Sequence, residues 1–528
     1  MTATDGHDLL RLVEGAWDAA GDEARPEARD RLHALGKQTA LERIDALVDP
    51  GSFRPIGQLA RLPDGEYDGL PGIDEQAVTA YGDGVVAGSA RIDGRPVMIT
   101  ANDYSIFGGS GGVIGGRLTQ RVTQLARQHG TPLIMLLDGG GHRIQDGLDS
   151  RHFANTGPHF MTLVRMSGWV PVITLMLGPG FAGNTNYAGL ADFVVMVRGT
   201  STMGIAGPAL VRAATGEQID KEDLGGADVQ VERNGIAHLA VDDEAAAFAA
   251  ARQYLSYLPS NADAPLPVVA TDDTADRRSP ELVDMVPANT RRAYDVRKVL
   301  RTVVDEHSFF EIQPGYAKNI VVGFARLDGR PVGLIANQPM VLAGTLDSPA
   351  CEKAARFVSL CDAFGLPLVF FADIPGFLVG THAEDSGLGR RSARMIFELG
   401  RATVPRCSVI LRKGYGLGYL AMCGGRSFDA DLAVAWPTAE ICAMNIEGAV
   451  DVAFRKVYEG AEDPAEARAE LMALFDARVG PLQAAAGFGV DALIDPADTR
   501  RLLIETLERA PRRRDDGLGT RTRGISPI

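Results

Sequence analysis

Two glycine-bearing turns, each ending an apolar run, hold the residues of this chain with the clearest chemical use. In Val404–Met422, VPRCSVILRKGYGLGYLAM, a β-branched run after a proline reads as a buried strand. Gly414 to Gly418 end it, and Tyr419 onward reads as a helix start. The first N–H groups of a helix have no partner within it and carry the positive end of its dipole, so they can hold an oxygen that becomes negative during a reaction. Glycine lets a ligand come close to that backbone. Val170–Gly189, VPVITLMLGPGFAGNTNYAG, has the same Val-Pro opening, apolar strand and small-residue turn. Ala182, Gly183 and Asn184 therefore fall where Gly416, Leu417 and Gly418 fall later. Two copies point to two facing sites, each built from backbone amides.

Each copy has a second small-residue turn after another apolar strand. These are Asp138-Gly139-Gly140-Gly141-His142 and Asp373-Ile374-Pro375-Gly376-Phe377. Parallel α/β sheets bind ligands beyond the carboxyl ends of their strands, so two amide sources per copy would form one oxyanion hole per copy.

The elements that must position these turns are themselves repeated. GDGVVAGSARIDGRPVMITAN, ending at Asn102, reads as a hairpin with its turn at Asp93-Gly94, and the text returns as KNIVVGFARLDGRPVGLIAN, ending at Asn337. The offset of 235 positions also carries Gly94 onto Gly329, Pro132 onto Pro367 and Asp138 onto Asp373. A fixed offset over several segments is the mark of an internal duplication. Each copy runs hairpin, helix, strand, glycine turn, strand, glycine turn, helix. The expected division is a helical leader over 1–50, a first α/β domain over 51–260, a linker over 261–287 rich in Asp, Ala and Pro, and a second α/β domain over 288–528. Pro511 to Ile528 reads as an extended tail, and the leader's alternating charges as a solvated face.

With 528 residues, 45% hydrophobic and 23% charged, the composition is that of a globular protein of more than one core. A net charge of −15 argues against a general nucleic-acid surface. The five cysteines, Cys351, Cys361, Cys407, Cys423 and Cys442, form no CxxC, which predicts reduced core thiols in a cytoplasmic protein rather than disulfides. No signal peptide or membrane-spanning run is read in the sequence. The nine histidines show no metal-ligand spacing, so no metal is expected. The glycine run from Gly108 to Gly116 lacks the GK[ST] ending of a phosphate loop, and no GxSxG elbow marks a triad hydrolase.

The turns, together with GKQTALERIDALVDPGSF, FGGS at Phe107–Ser110, GGGHRIQDG, YLPSNADAP, FFEIQPGYAKNIVVGFARLDGRPVGLIANQP, the EKAARFVSLCDAFGLPLVFFADIPGFLVGT block and AWPTAEICAMNIEGAV, resemble the carboxyltransferase β subunits of biotin-dependent acyl-CoA carboxylases, of the propionyl-CoA and acetyl-CoA carboxylase type. The resemblance runs from about Lys37 to the end. It implies a tandem crotonase-like (ClpP/crotonase) α/β fold in which the first copy binds acyl-CoA and the second binds carboxybiotin delivered on a carrier. It also implies a hexamer with active sites at subunit interfaces. The chain has no MKM-type biotinylation sequence and no ATP-grasp region, so a partner α subunit would supply biotin carboxylase and carrier. Carboxyl transfer to the carbon beside a thioester passes through an enolate, and carboxybiotin leaves a negative ureido oxygen that can itself take the α-proton; backbone donors at both oxygens would suffice. The reverse reaction, a biotin-dependent decarboxylase subunit, uses the same two holes, and a non-catalytic organising paralogue is the reading of another class.

Position for position, the resemblance puts the acyl-enolate hole at Ala182 and Gly183 with Gly140 and Gly141 alongside, and the biotin hole at Leu417 and Gly418 with Gly376 and Phe377 nearby. The family has paired glycines at the first of these turns and Gly-Gly-Ala at the second, whereas this chain has Ala182 and Leu417, plus His142 and Asn184 where small residues are usual. The amides persist in either case. A need for positive φ would strain Leu417, and a helical start would not. His142 and Asn184 are expected either to meet the thioester or to satisfy neighbouring backbone. Arg143, Gln145 and Asp146 are expected to brace the loop, Tyr415, Gly416 and Tyr419 to line the biotin slot, and Leu420 the acyl pocket. Arg412 and Lys413 read as solvated surface cations or as phosphate contacts.

Overall fold

The computed structural model describes residues 5–71, 73, 75–154, 157–514 and 523–527. They form two compact units, one of residues up to 256 together with 260–264, the other of 257–259 and 265–526. Residues 265–287, expected as linker, thus fall within the second unit, where Arg277 donates to the Thr302 and Val304 carbonyls. Of the expected tail, residues 515–522 and 528 lie outside the described residues.

The first unit opens with three helices, α1 (Gly6–Ala19), α2 (Pro26–Ala34) and α3 (Ala40–Leu47). Thr39 starts α3 with a capping box, accepting from the Glu42 N–H while the Glu42 carboxylate accepts from the Thr39 N–H. Seven strands follow in one sheet: β1 (Arg54–Pro55), β2 (Val85–Ile92), β3 (Arg95–Asn102), β4 (Leu133–Leu137), β5 (Val172–Met176), β6 (Phe193–Val197) and β7 (Leu239–Val241), side by side in that order. β1 to β3 are antiparallel, and from β3 onward each neighbour is parallel. The crossover from β3 to β4 is α4 (Val113–His129), which buries Leu118, Val122 and Ala126 and stops at left-handed Gly130. Helix α5 (Pro158–Met166) precedes β5, and α6 (Gly183–Leu190) leads on to β6.

The second unit repeats this plan. Its eight-stranded sheet runs β8 (Phe310–Ile312), β9 (Ile320–Leu327), β10 (Arg330–Asn337), β11 (Leu368–Ile374), β12 (Arg406–Tyr415), β13 (Leu432–Ala435) and β15 (Ala492–Leu493), with β14 (Glu440–Cys442) also paired to β12. The crossover α7 (Ser348–Phe364) is 17 residues long, as α4 is. Helix α8 (Gly416–Ala421) follows β12.

The 235-residue offset is kept down to the pairing register, Ile99 opposite Ile134 in the first sheet and Leu334 opposite Val369 in the second. It also carries the left-handed backbone of Phe107, Gly108 and Gly109 onto Leu342, Ala343 and Gly344. Inside each bend an asparagine does the same work. Asn102 donates to the Gly109 carbonyl and accepts from the Asp138 N–H, and Asn337 donates to Gly344 and accepts from Asp373. Each copy's first glycine turn is thereby held to the end of its hairpin.

Candidate active sites at the glycine turns

In the first unit, Gly111 N–H donates to the Gly141 carbonyl at 2.7 Å and Arg143 N–H donates back to Gly111 at 2.9 Å. The second unit repeats the tie, with Leu346 bonded to Gly376 at 3.2 Å and Leu378 to Leu346 at 2.8 Å. Gly141 and Gly376 both have positive φ, +94° and +129°, so glycine is required at each.

A buried aspartate then sets the spacing between the two turns of each copy. Asp138 is fully buried and pairs with Lys37 at 2.7 Å and Arg43 at 2.9 Å. A side chain at Gly178 would collide with its carboxylate, which is why the second turn begins with glycine. Asp373 is equally buried and pairs with Arg412 at 2.9 Å and Lys413 at 3.5 Å, while accepting the Lys413 N–H. Arg412 and Lys413 are therefore not solvated surface cations. Arg412 is wholly buried and also donates to the carbonyls of Pro287, Asn289 and Arg292. Burial pulls the Lys413 ammonium below its ordinary pKa, with the Asp373 charge opposing.

Of the two cases set out for Leu417, the helical start is the one found, and it carries no strain. Leu417 sits inside α8 with its side chain 54% exposed. The positive φ belongs instead to Ala182, at +54° with ψ of −120°, and to its counterpart Gly416 at +59°. The Ala182 N–H is also engaged, donating to the Gly204 carbonyl at 2.9 Å. Ala182 therefore does not offer the donor expected of it; it makes the bend that presents the next two amides. The first bond returning to the cap runs from Thr185 N–H to the Ala182 carbonyl, which leaves the Gly183 and Asn184 N–H groups at the unbonded start of α6. Ala182→Gly is expected to stabilise the protein by about 1 kcal/mol, since an alanine held in such a region costs on the order of 1–3 kcal/mol. Gly416→Ala is expected to do the reverse, its new Cβ meeting the Ala443 carbonyl at 2.9 Å. Thermal midpoints of the two variants check the pair.

Asn184 is buried and its side-chain amide donates to the Gly139 carbonyl at 3.0 Å, so it satisfies neighbouring backbone. His142 projects beside it with its ring edge on Phe153, 5.6 Å between centroids, and partial burial lowers its pKa. Arg143 and Asp146 brace the loop, through residues that sequence reasoning passed over. Arg143 donates to Asp83 at 2.5 Å and to the Tyr67 hydroxyl at 3.1 Å, and Tyr67 donates to Asp146 at 2.7 Å. Asp83 and Asp146 accept the Val113, Ile114 and Gly115 N–H groups at the start of α4. The glycine run before α4 is thus capped by the chain's own carboxylates, which explains its composition without a phosphate.

In the second unit Tyr415 is buried, and its hydroxyl donates to Glu440 at 2.5 Å. Burial and this carboxylate raise its pKa. Tyr419 lies against three glycines, and a Cβ at Gly414, Gly424 or Gly425 would come within 2.8, 2.3 or 2.4 Å of it. Its phenol is pushed up to about 12 by burial. Tyr415 is thus held to Glu440, and the half-buried Tyr419 fills the space the three glycines leave. The residues that stand outward there are Leu417 and Leu420, the latter 37% exposed. Gly418 packs directly on Gly376, where an added Cβ would lie 3.1 Å from the Gly376 Cα. That contact unites the two turns of this copy.

A cavity of about 690 Å³ lies in the first unit and reaches both of its turns. Gly141, His142, Ala182, Gly183 and Asn184 line part of it, and residues of α4, α5, α6, of strands β2 to β4 and of the segment 151–153 line most of the rest. Its size is that of a small-molecule site. No helix among the described residues is long and apolar enough to cross a membrane, and no group of three or more potential metal ligands occurs among them.

Comparison with known proteins agrees with this architecture over the whole chain. The carboxyl transferase domain model matches residues 31–524. The chain is 41% identical over 508 residues to the propionyl-CoA carboxylase carboxyltransferase subunit of Haloferax mediterranei, covering 96% of each chain. It is 39% identical over 510 residues to the methylmalonyl-CoA decarboxylase subunit alpha of Veillonella parvula, covering 97% of this chain and 96% of the relative. The crystal structure of transcarboxylase 12S, described as a hexamer assembly with methylmalonyl-coenzyme A bound, superposes with a TM-score of 0.91 at 38% identity, covering 100% of this chain and 99% of that one. With its duplicated crotonase-like α/β units and matched glycine turns, the chain belongs to the carboxyl transferase family.

Proposed function

We propose that the protein moves a carboxyl group between carboxybiotin, carried by a partner protein, and the α-carbon of an acyl-CoA thioester. The observation that carries this reading is the first unit's cavity, which ends on the amides that open α6 beside the Gly141 turn. A thioester carbonyl seated there meets donors aimed at the oxygen that becomes negative when the α-carbon is deprotonated. Gly183 N–H is the donor from the helix, and the Gly140–His142 turn supplies the second. Carboxybiotin, when bound, supplies the carboxyl group. The second unit offers the corresponding amides at Leu417 and Gly418, against Gly376, and the exposed Leu417 and Leu420 side chains form an apolar rim that suits the ring of such a group. No side-chain base is assigned in either copy.

The neighbour described as a hexamer assembly supports the same state for this chain. In the reading proposed here a separate subunit carries the biotin carboxylase and the biotin carrier. Five free thiols suit a cytoplasmic setting. The decarboxylation direction is favoured by one observation, the relative named as a decarboxylase subunit. The test is transfer from a carboxylated biotin carrier to a panel of acyl-CoAs, followed by the reverse assay with carboxyacyl-CoAs and free biotin carrier. Carboxylated acyl-CoA is the expected product. No transfer in either direction, with an active β subunit alongside as control, would overturn the reading and leave the organising role.

A further inference from the structure

The two copies differ at the helix pair that flanks their glycine turns. In the second unit the helix Leu388–Arg401 packs along α7, and Ile320, Cys351, Ala354 and Ala355 are wholly buried. The 235-residue offset carries these four onto Val85, Gly116, Thr119 and Gln120, all of which line the first unit's cavity. The helix that covers α7 has 14 residues, whereas α5 has 9 and starts only after left-handed Gly157. A groove between α4 and α5 is therefore open in the copy assigned to acyl-CoA and shut in the other. Gly116 widens it without any packing need to be glycine. Its neighbour Gly115 has one, since a Cβ there would lie 2.7 Å from the Asp83 carbonyl. A Cβ at Gly116 would meet no atom within 4 Å, its backbone is helical, and glycine is among the poorest helix formers. One turn along α4, Gln120 donates to Thr162 on α5 at 2.9 Å. Residues four apart share a helix face, so Gly116 fronts the same groove and what it contributes is room.

The lining defines what fills that room. At the reacting end Phe160 and Tyr187 pack on each other, 4.6 Å between centroids, and a Cβ at Gly183 would lie 4.0 Å from both rings. Val85 of β2 and Leu137 of β4 add apolar side chains from the sheet. Arg117 and Arg121 stand exposed along α4 and line the cavity as well. Among the described residues no aspartate or glutamate lines it, in a chain of net charge −15. An apolar interior with cations at its rim fits a molecule with an apolar tail and an anionic head. The phosphates of coenzyme A supply the head, and the acyl group supplies the tail. A cavity of about 690 Å³ is that of a drug-sized ligand, and a propionyl group would leave most of it empty.

Resting on the carboxyltransferase reading above, we propose that the preferred substrate is an acyl-CoA with a straight, apolar chain of medium length, which lies between α4 and α5. Gly116 is the specificity determinant that admits the chain, and it takes no part in the bond-making steps.

The experiment measures kcat/KM of the full chain for carboxyl transfer, from a carboxylated biotin carrier, to propionyl-CoA and to straight acyl-CoAs of four to twelve carbons. Each methylene buried in an apolar site is worth about fourfold. The constant is therefore expected to climb from propionyl-CoA to a medium chain, with octanoyl-CoA about tenfold or more above propionyl-CoA. Gly116→Leu, which fills the groove, should cut that ratio by about tenfold, and Gly116→Ala should cut it by less. The ratio within one variant is insensitive to how much of it folds. A wild-type protein that favours propionyl-CoA overturns the proposal. So does a ratio that Gly116→Leu leaves unchanged, and a fall by one factor at every chain length would place the pantetheine arm of CoA in the groove. Transfer to none of the acyl-CoAs, propionyl-CoA included, would instead fail the carboxyltransferase reading.

Discussion

Replacing the Gly183 N–H by an ester oxygen, through incorporation of the matching hydroxy acid, is expected to lower kcat by about 10²–10³, the usual cost of losing one oxyanion donor. The same replacement at Leu417 is expected to do likewise. The ester keeps the shape, size and φ preference of the residue and removes a single hydrogen, so it separates the donor from everything else at the turn. Neither turn offers a side chain whose deletion would ask the same question. An ester at Ala182 serves as the contrast, since its N–H is already bonded to Gly204. That substitution should cost stability of the bend, with a smaller fall in kcat than at Gly183. Equal falls at 182 and 183 would place the acyl oxygen elsewhere. Single-turnover measurements with each half-reaction tell the two copies apart, the first-unit ester slowing exchange at the α-carbon of the acyl-CoA and the second-unit ester slowing carboxyl release from the carrier.

Removing the buried carboxylate of the second copy should have the largest effect on stability. Asp373→Ala leaves Arg412, whose side chain is 1% exposed, and Lys413 without their counter-charge, and breaking a buried pair of this kind costs about 3–5 kcal/mol. The urea midpoint of the first unfolding transition should fall accordingly. Asp373→Asn retains an acceptor for the Lys413 N–H and should lose less. Substituting Arg412 and Asp373 together by leucine and alanine should recover only part, because the Arg412 guanidinium also satisfies the carbonyls of Pro287, Asn289 and Arg292. Full recovery in the double variant would mean that the pair is merely tolerated.

The hairpins, strands and glycine turns were legible because each is written in local chemistry: a β-branched run, an Asp-Gly turn, a small residue where a side chain would collide. The duplication was legible because an offset needs no structure to be seen. What escaped was set by residues far away in the chain. Arg412 and Lys413 look like surface cations in their own window; only Asp373 at the end of another strand makes them buried ones. Asn184 reads equally as a ligand contact or a backbone partner in its own window, and the Gly139 carbonyl that it meets lies 45 residues away. Whether Leu417 is strained could not be read from side-chain size, because φ is set by the path of the backbone, which bends at Ala182 and Gly416.

The two aspartates that hold the turns obtain their partners at very different chain distances. Asp373 takes Arg412 from the next strand, 39 residues on, whereas Asp138 takes Lys37 from 101 residues back. Loop-closure entropy grows with that distance, and contacts of long sequence separation form late in folding. The Gly139–Gly141 turn of the first unit therefore waits for the helical start of the chain to return, while its counterpart in the second unit can close from its own neighbourhood. During refolding, the second unit should acquire its site first.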